Sequence, residues 1–297
     1  MYRPLPSSEP RAEESAVVGR TAPAETVVAV LPARRSTWAV GSIHGEVRRL
    51  QDLHARLAPR LGPHDNLVYL GNFLGCGSDV LGTVQHLLLF RRAIMAERVL
   101  DYPTDDPGAD DFGAIVYLRG RQEEMWHKLL QVQFAPNPRE VLEWMLRHGV
   151  APTLRAYGGT IEEARKAAAM GSAALSQWTN RLRAGMRAWD GHDRLMTVLR
   201  RAAFTRDGTL LLASAGINPA RPLAQQADSF WWGGRDFAAI KSPYENFRCV
   251  VRGFDEQKRG IWFKPWAASI DGGCGFGGSL VAACFDPDGN FIDTLEA

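Results

Sequence analysis

His44 lies in a type of turn in which proteins often have a metal ligand. The apolar run 37–40 ends in the turn Gly-Ser-Ile-His-Gly (41–45), and an amphipathic helix pattern follows. An imidazole at the carboxyl end of a strand is a frequent metal ligand, and His44 has that place. The carboxylate that would share the metal is absent, because Ser42 stands there instead. The turn therefore predicts either a catalytic loop or the remains of one.

Further glycine-marked segments follow in chain order, each at the end of an apolar run, where tight turns favour glycine. They are Gly-Asn-Phe-Leu-Gly-Cys-Gly (71–77), Leu-Arg-Gly-Arg-Gln-Glu-Glu (118–124), Leu-Leu-Ala-Ser-Ala-Gly-Ile (211–217), Cys-Val-Val-Arg-Gly-Phe-Asp (249–255) and the glycine-rich segment 269–282. The last of these has no lysine and helix after it, as a phosphate-binding P-loop would. It therefore favours a tight connection between strands.

The elements that carry these turns alternate in the first half of the chain. Short apolar runs at 37–40, 66–72 and 114–120 predict strands. Helical patterns follow them at 46–61, 79–96 and 123–134. Strands and helices alternating at this spacing predict a parallel sheet with right-handed crossovers.

The rest of the chain has a different pattern. Residues 138–202 carry helical patterns with almost no strand signal, which indicates a helical insertion. The C-terminal third predicts short, mostly antiparallel strands, with a hairpin around Asp207-Gly208. The run 26–31 predicts an edge strand. Residues 1–24 are rich in Pro, Ala, Ser and Glu without periodicity, and we expect a flexible tail.

Composition excludes several functional classes. A chain of 297 residues with 45% hydrophobic content can bury a substantial core. Its formal net charge of +2, with both signs mixed, predicts neither a nucleic-acid nor a membrane partner. No apolar run approaches the roughly 20 residues that span a bilayer, and no apolar region of a secretory signal is present. The 4 cysteines make no disulfide framework, so we expect a cytoplasmic protein.

The order of the glycine-marked segments resembles the calcineurin-like metallophosphoesterases, in particular the bacterial branch similar to serine/threonine protein phosphatases. That family reads Gly-Asp-x-His-Gly, Gly-Asp-x-x-Asp-Arg-Gly, Gly-Asn-His-Glu, a His-Ala-Gly segment, a Gly-His-Thr segment and a closing Ile-Asp-x-Gly…Gly-Gly-x-Leu strand. The resemblance covers about residues 36–297. It implies an α/β fold, a four-layer α/β/β/α sandwich with a helical cap insertion, in a single domain over 25–297.

The resemblance also implies where a metal pair would bind. Members of the family hold two divalent metals that polarise a phosphoryl group and generate a metal-bound hydroxide. Mapped onto this chain, the positions of the six ligands are held by Ser42, His44, Asn72, Arg121, Ser214 and Phe254. Only His44 keeps the family's ligand type.

A second set of family positions differs as well. The aspartate-arginine pair of the Asp-Arg-Gly turn is replaced by Gly75 and Cys76, and the histidine assigned as leaving-group acid is replaced by Gln122. Glu123 is kept, in what the family uses as a supporting role. The resemblance therefore implies a scaffold with a degenerate metal site. We expect no confident catalytic residue and no metal or other cofactor; the alternative is Mn²⁺ or another divalent metal pair.

Two arginines map beside the old metal pocket. Arg121 replaces a neutral ligand, and Arg252 precedes Phe254 at another strand end. A guanidinium cannot lose its charge, so it repels a metal but is able to hold phosphate or carboxylate. Arg121, Arg252 and His44 are therefore anion-binding candidates. The alternatives are local salt bridges for the arginines and a hydrogen-bonded turn for His44. Trp231 and Trp232 either line a groove or pack in the core.

Three functions stay open at this point. The favoured one is a catalytically inactive pseudophosphatase that acts as a binding, regulatory or scaffold module for an unknown protein partner or a phosphorylated ligand. The second is an active phosphomonoesterase or Ser/Thr protein phosphatase with an unorthodox metal site around His44, Asn72 and Glu123. The third is a structural subunit whose helical insertion packs into a larger assembly.

Overall fold

A computed structural model describes residues 28–101, 112–233 and 235–297. The expected flexible tail at 1–24 lies outside these residues. No helix within the described ranges is long and apolar enough to cross a lipid bilayer.

The first sheet carries the predicted alternating strands. Its strand order is β11-β10-β2-β3-β4, with β2 at Thr37–Val40, β3 at Asn66–Tyr69, β4 at Ile115–Tyr117, β10 at Val281–Phe285 and β11 at Phe291–Glu296. Strands β2, β3 and β4 pair in parallel, whereas β10 pairs antiparallel with both β2 and β11. The predicted parallel arrangement of the first three strands is confirmed.

The second sheet has the order β1-β5-β6-β7-β9-β8. Its strands are β1 at Val28–Leu31, β5 at Ala202–Thr205, β6 at Leu210–Ala213, β7 at Cys249–Arg252, β8 at Trp262–Phe263 and β9 at Ala267–Ser269. The predicted edge strand is β1, and the hairpin at Asp207-Gly208 joins the antiparallel pair β5 and β6. The expectation of mostly antiparallel strands is wrong for β6, β7 and β9, which pair in parallel. Long connections between these strands allow the crossovers that parallel pairing needs.

The two sheets face each other across an apolar layer. Ala39 and Val68 from the first sheet pack in one cluster with Leu212 and Val251 from the second. The outer face of the first sheet is covered by helices α1 (Val47–Leu57), α2 (Val80–Asp101) and α3 (Arg121–Leu129). The outer face of the second sheet is covered by α9 (Ser229–Trp232), the 3₁₀ turn Arg235–Ala239 and aromatic loops. This arrangement confirms the predicted α/β/β/α sandwich.

Helices fill the segment between α3 and β5. They are α4 at Pro138–Arg147, α5 at Ala151–Ala156, α6 at Ile161–Met170, α7 at Ser172–Arg187 and α8 at His192–Val198. Capping side chains begin two of them, because the first amides of a helix have no partner within it. Asn137 accepts from the Glu140 amide, and Thr160 forms a capping box with Glu163. Their apolar faces join the cluster that covers the first sheet.

Glycines let the turns after β3 and β4 touch. Gly71 has a φ of 90°, and a Cβ at this position would lie 2.5 Å from the Gly120 nitrogen. A Cβ at Gly120 would in turn lie 2.3 Å from the Asn72 nitrogen. Side chains at either position would push the two turns apart. The glycines therefore bring the end of β3 against the start of α3.

Candidate functional site

The parallel strands β2, β3 and β4 bring their carboxyl ends to one edge of the sheet. Ser42 and His44 follow β2, Asn72 follows β3, and Arg121 begins α3 after β4. The Asn72 carbonyl accepts hydrogen bonds from the Ile43 and His44 amides at 3.1 and 2.6 Å. The structure thus places the residues that the sequence maps to the first-metal and bridging positions side by side.

The Asn72 side chain is held by hydrogen bonds on both sides. Its Nδ2 donates to Ser42 Oγ at 3.0 Å, and its Oδ1 accepts from the Gln122 amide at 3.0 Å. The residue is completely buried and has a φ of 55°, a conformation that asparagine tolerates better than most residues. Ser42 and Asn72 therefore use their polar atoms to join β2, β3 and α3.

The buried carboxylate of Glu123 holds the same turn through hydrogen bonds to the backbone. Its carboxylate accepts from the amides of Asn72 at 2.8 Å, Leu74 at 3.0 Å and Gly120 at 2.8 Å. Burial raises the pKa of Glu123, and these backbone N–H groups oppose that shift. The supporting role that the resemblance implies for this glutamate corresponds to these three bonds, which fix the turn after β3 to the start of α3.

His44 lies in an apolar and cationic environment. Its ring packs edge-on against Phe254 and Phe276, with centroids 5.7 and 5.2 Å away, and is 2% exposed. Among the residues that the structure describes, neither ring nitrogen has a hydrogen-bond partner of normal geometry. The pKa of His44 is lowered to about 3, mainly by burial and next by the nearby Arg121 charge, and a smaller effect of the Leu74 backbone opposes this shift. The imidazole is therefore neutral at physiological pH and is held by ring packing.

Arg121 lies near His44 and contacts three residues that form the wall of a cleft. Its guanidinium lies 5.2 Å from the Trp232 ring centroid and 6.0 Å from that of Phe254. The Glu256 carboxylate binds it at 2.8 Å; the Arg121 side chain is 10% exposed and that of Glu256 is 64% exposed. These three contact residues of Arg121 line a cleft of about 490 Å³, together with Gly233, Arg252 and Arg259, among others. Arg121 itself is behind this lining and not part of it; we call the cleft the Arg121 cleft because three of its lining residues hold that guanidinium.

Arg252, the other arginine candidate, has a different environment. It is almost completely buried, and its guanidinium pairs with Asp255 at 2.5 Å and stacks over Phe237 at 4.6 Å. Asp255 also binds Arg259 at 2.7 Å. Burial alone would raise the pKa of Asp255, but the hydrogen bonds from Arg259 and the charge of Arg252 outweigh it and lower that pKa. The charge of Arg252 is therefore already balanced within the fold.

The turn at Gly75 and Cys76 is closed by the cap helices. Gln122 Nε2 donates to the His148 carbonyl at 2.9 Å, and the Cys76 amide donates to the Gly149 carbonyl at 3.1 Å. A Cβ at Gly75 would lie 2.2 Å from the Gln122 Oε1 atom, so Gln122 fills the space that a side chain at position 75 would need. Burial raises the pKa of Cys76 to about 11. Its thiol is therefore a poor nucleophile at neutral pH.

The last two mapped positions lie at the ends of β6 and β7. The Ser214 carbonyl accepts from the Gly253 and Phe254 amides at 3.0 and 2.9 Å. The Ser214 hydroxyl is buried and has no hydrogen-bond partner within the described part of the chain, and the Phe254 ring contacts His44. Neither side chain offers a strong metal donor, because serine hydroxyl is a weak neutral ligand and a phenyl ring is none.

The residues present do not fit a pair of divalent cations. Such a pair needs anionic oxygen ligands, and Arg121 instead brings a permanent positive charge beside His44. Across residues 28–101, 112–233 and 235–297, no group of three or more His, Cys, Asp or Glu side chains is arranged to hold a metal ion.

Several residues of the cleft could not be assigned from the sequence. Glu256 and Lys258 follow β7, and the Lys258 ammonium lies 4.0 Å from the Phe276 ring centroid. Of the two tryptophans with alternative roles, Trp231 is core and Trp232 is half-buried over Arg121. The sequence around them left a groove and the core open for both rings and did not distinguish the two.

No model of a known protein family matches the sequence, and no curated protein matches it. Among solved structures, the chain is similar to a protein provisionally described as a diadenosine tetraphosphatase. The two share 18% identity with a TM-score of 0.50 over 92% of this chain and 98% of the other. A serine/threonine phosphatase from Saccharomyces cerevisiae matches with 14% identity and a TM-score of 0.45, over 89% of this chain and 81% of that one. The first match and the two facing sheets together show the fold. The chain has the calcineurin-like metallophosphoesterase fold.

Proposed function

We propose that this protein is a pseudophosphatase: a non-hydrolysing, phosphatase-like module that binds a phosphorylated ligand in the Arg121 cleft. The observation that carries this proposal is the pairing of Arg121 with Glu256. A largely buried guanidinium beside the cleft already binds an oxyanion, namely the exposed carboxylate of Glu256, through one contact of 2.8 Å. A phosphate that displaces Glu256 would take over this contact, and a guanidinium is able to bind phosphate through two parallel hydrogen bonds.

The charges around the cleft support an anionic ligand. Positive groups are contributed by Arg121, Arg252, Arg259 and Lys258, and negative groups by Asp255 and Glu256. Displacement of Glu256 towards solvent would leave a net positive cleft without moving any core residue. Because the rings of Trp232 and Phe254 form part of its wall, we expect a phosphate carried on an aromatic or apolar group to bind better than inorganic phosphate.

The absence of hydrolysis is also part of the proposal. Two-metal hydrolysis relies on a bridging carboxylate, and the Asn72 amide that takes this position is committed to Ser42 and Gln122. With Arg121 beside it, the cleft favours anion binding over metal binding. The four cysteines are free thiols, which supports a reducing cytoplasm as the compartment.

Titration calorimetry with phenyl phosphate tests the binding. We expect Arg121→Gln to weaken binding at least about tenfold, because a charge-assisted bidentate contact is lost. Arg206→Gln is the matched control, since Arg206 is an exposed arginine in the hairpin between β5 and β6. Equal affinity of the Arg121→Gln variant and the unchanged protein would overturn the proposal.

A second experiment tests the lack of hydrolysis. We expect protein purified with added manganese to hold less than about 0.1 metal per chain by elemental analysis, since a guanidinium disfavours a nearby dication. We also expect no phosphate release from phenyl phosphate above that of buffer. Metal near stoichiometry with turnover that His44→Ala abolishes would instead establish an active phosphohydrolase with an unorthodox site.

A further inference from the structure

A second pocket lies on the opposite side of α3 from the Arg121 cleft. It is formed where α3 meets α7 and α8, and its volume is about 240 Å³. The apolar part of its lining comes from Trp126, Leu130, Met186, Met196 and Leu199. Trp126 and Met186 are buried core residues, so the apolar end of the pocket reaches into the fold.

Arginines border the same pocket. Arg119 pairs with Glu124 at 3.1 Å and so is already neutralised. Arg183 and Arg187 lie one helical turn apart on α7. Arg183 donates to the Leu130 carbonyl at 2.5 Å and to Asn180 at 3.0 Å, and Arg187 donates to the Arg183 carbonyl at 3.3 Å. Within the part of the chain that the structure describes, neither of these two guanidiniums is paired with a carboxylate.

The charged residues that line the pocket indicate the charge of its ligand. Two carboxylates also line the pocket, Asp193 and Glu123. The Glu123 carboxylate already accepts three backbone amides, so Asp193 is the one left opposite the two arginines that have no carboxylate partner among the described residues. One positive charge then remains to be balanced, which a single carboxylate supplies. A guanidinium pair binds carboxylate well because its donors match the two oxygens.

The volume limits the ligand's size. A cavity of roughly 150 Å³ holds one benzene molecule, so about 240 Å³ accommodates one ring with a short side chain. The ring would contact the apolar end beside Trp126 and Met186, while the head group would lie at the more exposed arginines.

We infer that this α7 pocket, defined by Trp126, Leu130, Met186, Met196, Arg183 and Arg187, is a binding site for a small aromatic carboxylate. The site is separate from the Arg121 cleft and does not depend on the function proposed for that cleft. Glu123 lines the pocket as well, and it fixes the turn after β3 to the start of α3. A ligand here would therefore contact the residue that fixes the position of α3.

Binding of 3-phenylpropionate to the full chain tests the inference, with 3-phenylpropionamide as an uncharged probe of nearly the same shape. Trp126 gives an intrinsic fluorescence signal, and calorimetry gives the affinity. We expect the acid to bind at least about tenfold more tightly than the amide, because only the carboxylate pairs with the arginines. Equal binding of acid and amide, or no binding of the acid, would overturn the inference.

Variants locate the contact. The double change Arg183→Gln and Arg187→Gln should weaken binding of the acid at least about tenfold and leave that of the amide unchanged. Arg181→Gln is the matched control, since Arg181 is an exposed residue of the same helix that does not line the pocket. These arginines are at least partly exposed, so the variants are expected to fold. An unchanged affinity of the double variant for the acid would place the binding elsewhere and overturn the inference.

Discussion

The Glu256 carboxylate lies 2.8 Å from the Arg121 guanidinium, although the two side chains are 64% and 10% exposed. One partner is fixed in the fold, stacked beside Trp232 and Phe254, and the other reaches in from solvent. Under the proposed function, an external anion would compete with the Glu256 carboxylate for the Arg121 guanidinium. The strength of the Arg121–Glu256 pair would then set the affinity for the ligand.

Glu256→Gln should therefore strengthen binding of phenyl phosphate. Removing the carboxylate frees the Arg121 donors and raises the net positive charge of the cleft, and we expect about three- to tenfold tighter binding. Calorimetry measures the change. Glu97→Gln, an exposed residue of α2, is the matched control and should have no effect. Weaker binding by Glu256→Gln would show that Glu256 assists the ligand and does not compete with it.

Glu123→Gln should destabilise the fold although it changes no surface residue, because Glu123 is buried. A carboxylate accepts three backbone amides here, and the amide group of glutamine would turn its own N–H groups towards at least one of them. We expect a loss of about 2 to 4 kcal/mol in the free energy of unfolding, measured by urea denaturation. Glu162→Gln, at the exposed start of α6, should change it by less than about 0.5 kcal/mol. Similar losses in the two variants would contradict the role given to Glu123.

Asp255→Asn tests the buried charges behind the cleft. The change leaves Arg252 buried without its counter-ion, and we expect a loss of about 3 to 5 kcal/mol in the free energy of unfolding. Arg259→Gln removes only the partner that is 32% exposed and should cost less than about 1 kcal/mol. Denaturant unfolding compares the two variants. If Arg259→Gln were the more damaging, Arg259 and not Arg252 would be the main partner of Asp255.

The buried imidazole of His54 should make stability depend on pH. Its ring is hydrogen-bonded to the Tyr69 hydroxyl at 2.8 Å and stacks on Phe90. Burial lowers the pKa of His54 to about 2, with a smaller effect from His86. At a pH between the ordinary pKa of about 6.5 and the lowered pKa of the folded state, the unfolded chain carries one proton more on this histidine than the folded chain does. The stability of the fold therefore falls as the pH falls through this range.

We expect this histidine to account for a loss of about 2 kcal/mol between about pH 7 and pH 5. His54→Gln keeps a hydrogen-bonding group near Tyr69 but does not titrate. Urea denaturation at pH 7 and at pH 5 measures the free energy of unfolding of both proteins. Between these pH values, the free energy of unfolding of His54→Gln should fall by about 2 kcal/mol less than that of the unchanged protein. Parallel losses in the two proteins would contradict the prediction.

Much of the fold could be predicted because its signals are local. The run Thr37–Val40 is apolar and ends in a glycine turn, and the structure has a strand with the same limits. Strand pairing is not local in this sense. Whether β6, β7 and β9 run parallel depends on where the chain passes between them, and a short apolar run is compatible with either direction.

The sequence predicted which single positions belong to the site, but not which residues contact each other there. The family resemblance mapped Ser42, Asn72 and Arg121 to one site, and the structure has them at the carboxyl ends of neighbouring parallel strands. The partner of Arg121 is a glutamate 135 positions later, and no spacing rule connects the two. The roles of Trp231 and Trp232 depend likewise on the rotation of one short helix, which neighbouring residues do not determine.

The three backbone amides that donate to Glu123 also determine when the turn after β3 opens to solvent. These protons belong to irregular backbone, yet each is bound to a carboxylate at the centre of the molecule. They can exchange with solvent only when that carboxylate is released, which requires α3 to leave the sheet. The turn should therefore show the slow hydrogen exchange of a core strand, and it should open only when the surrounding sheet and α3 unfold together.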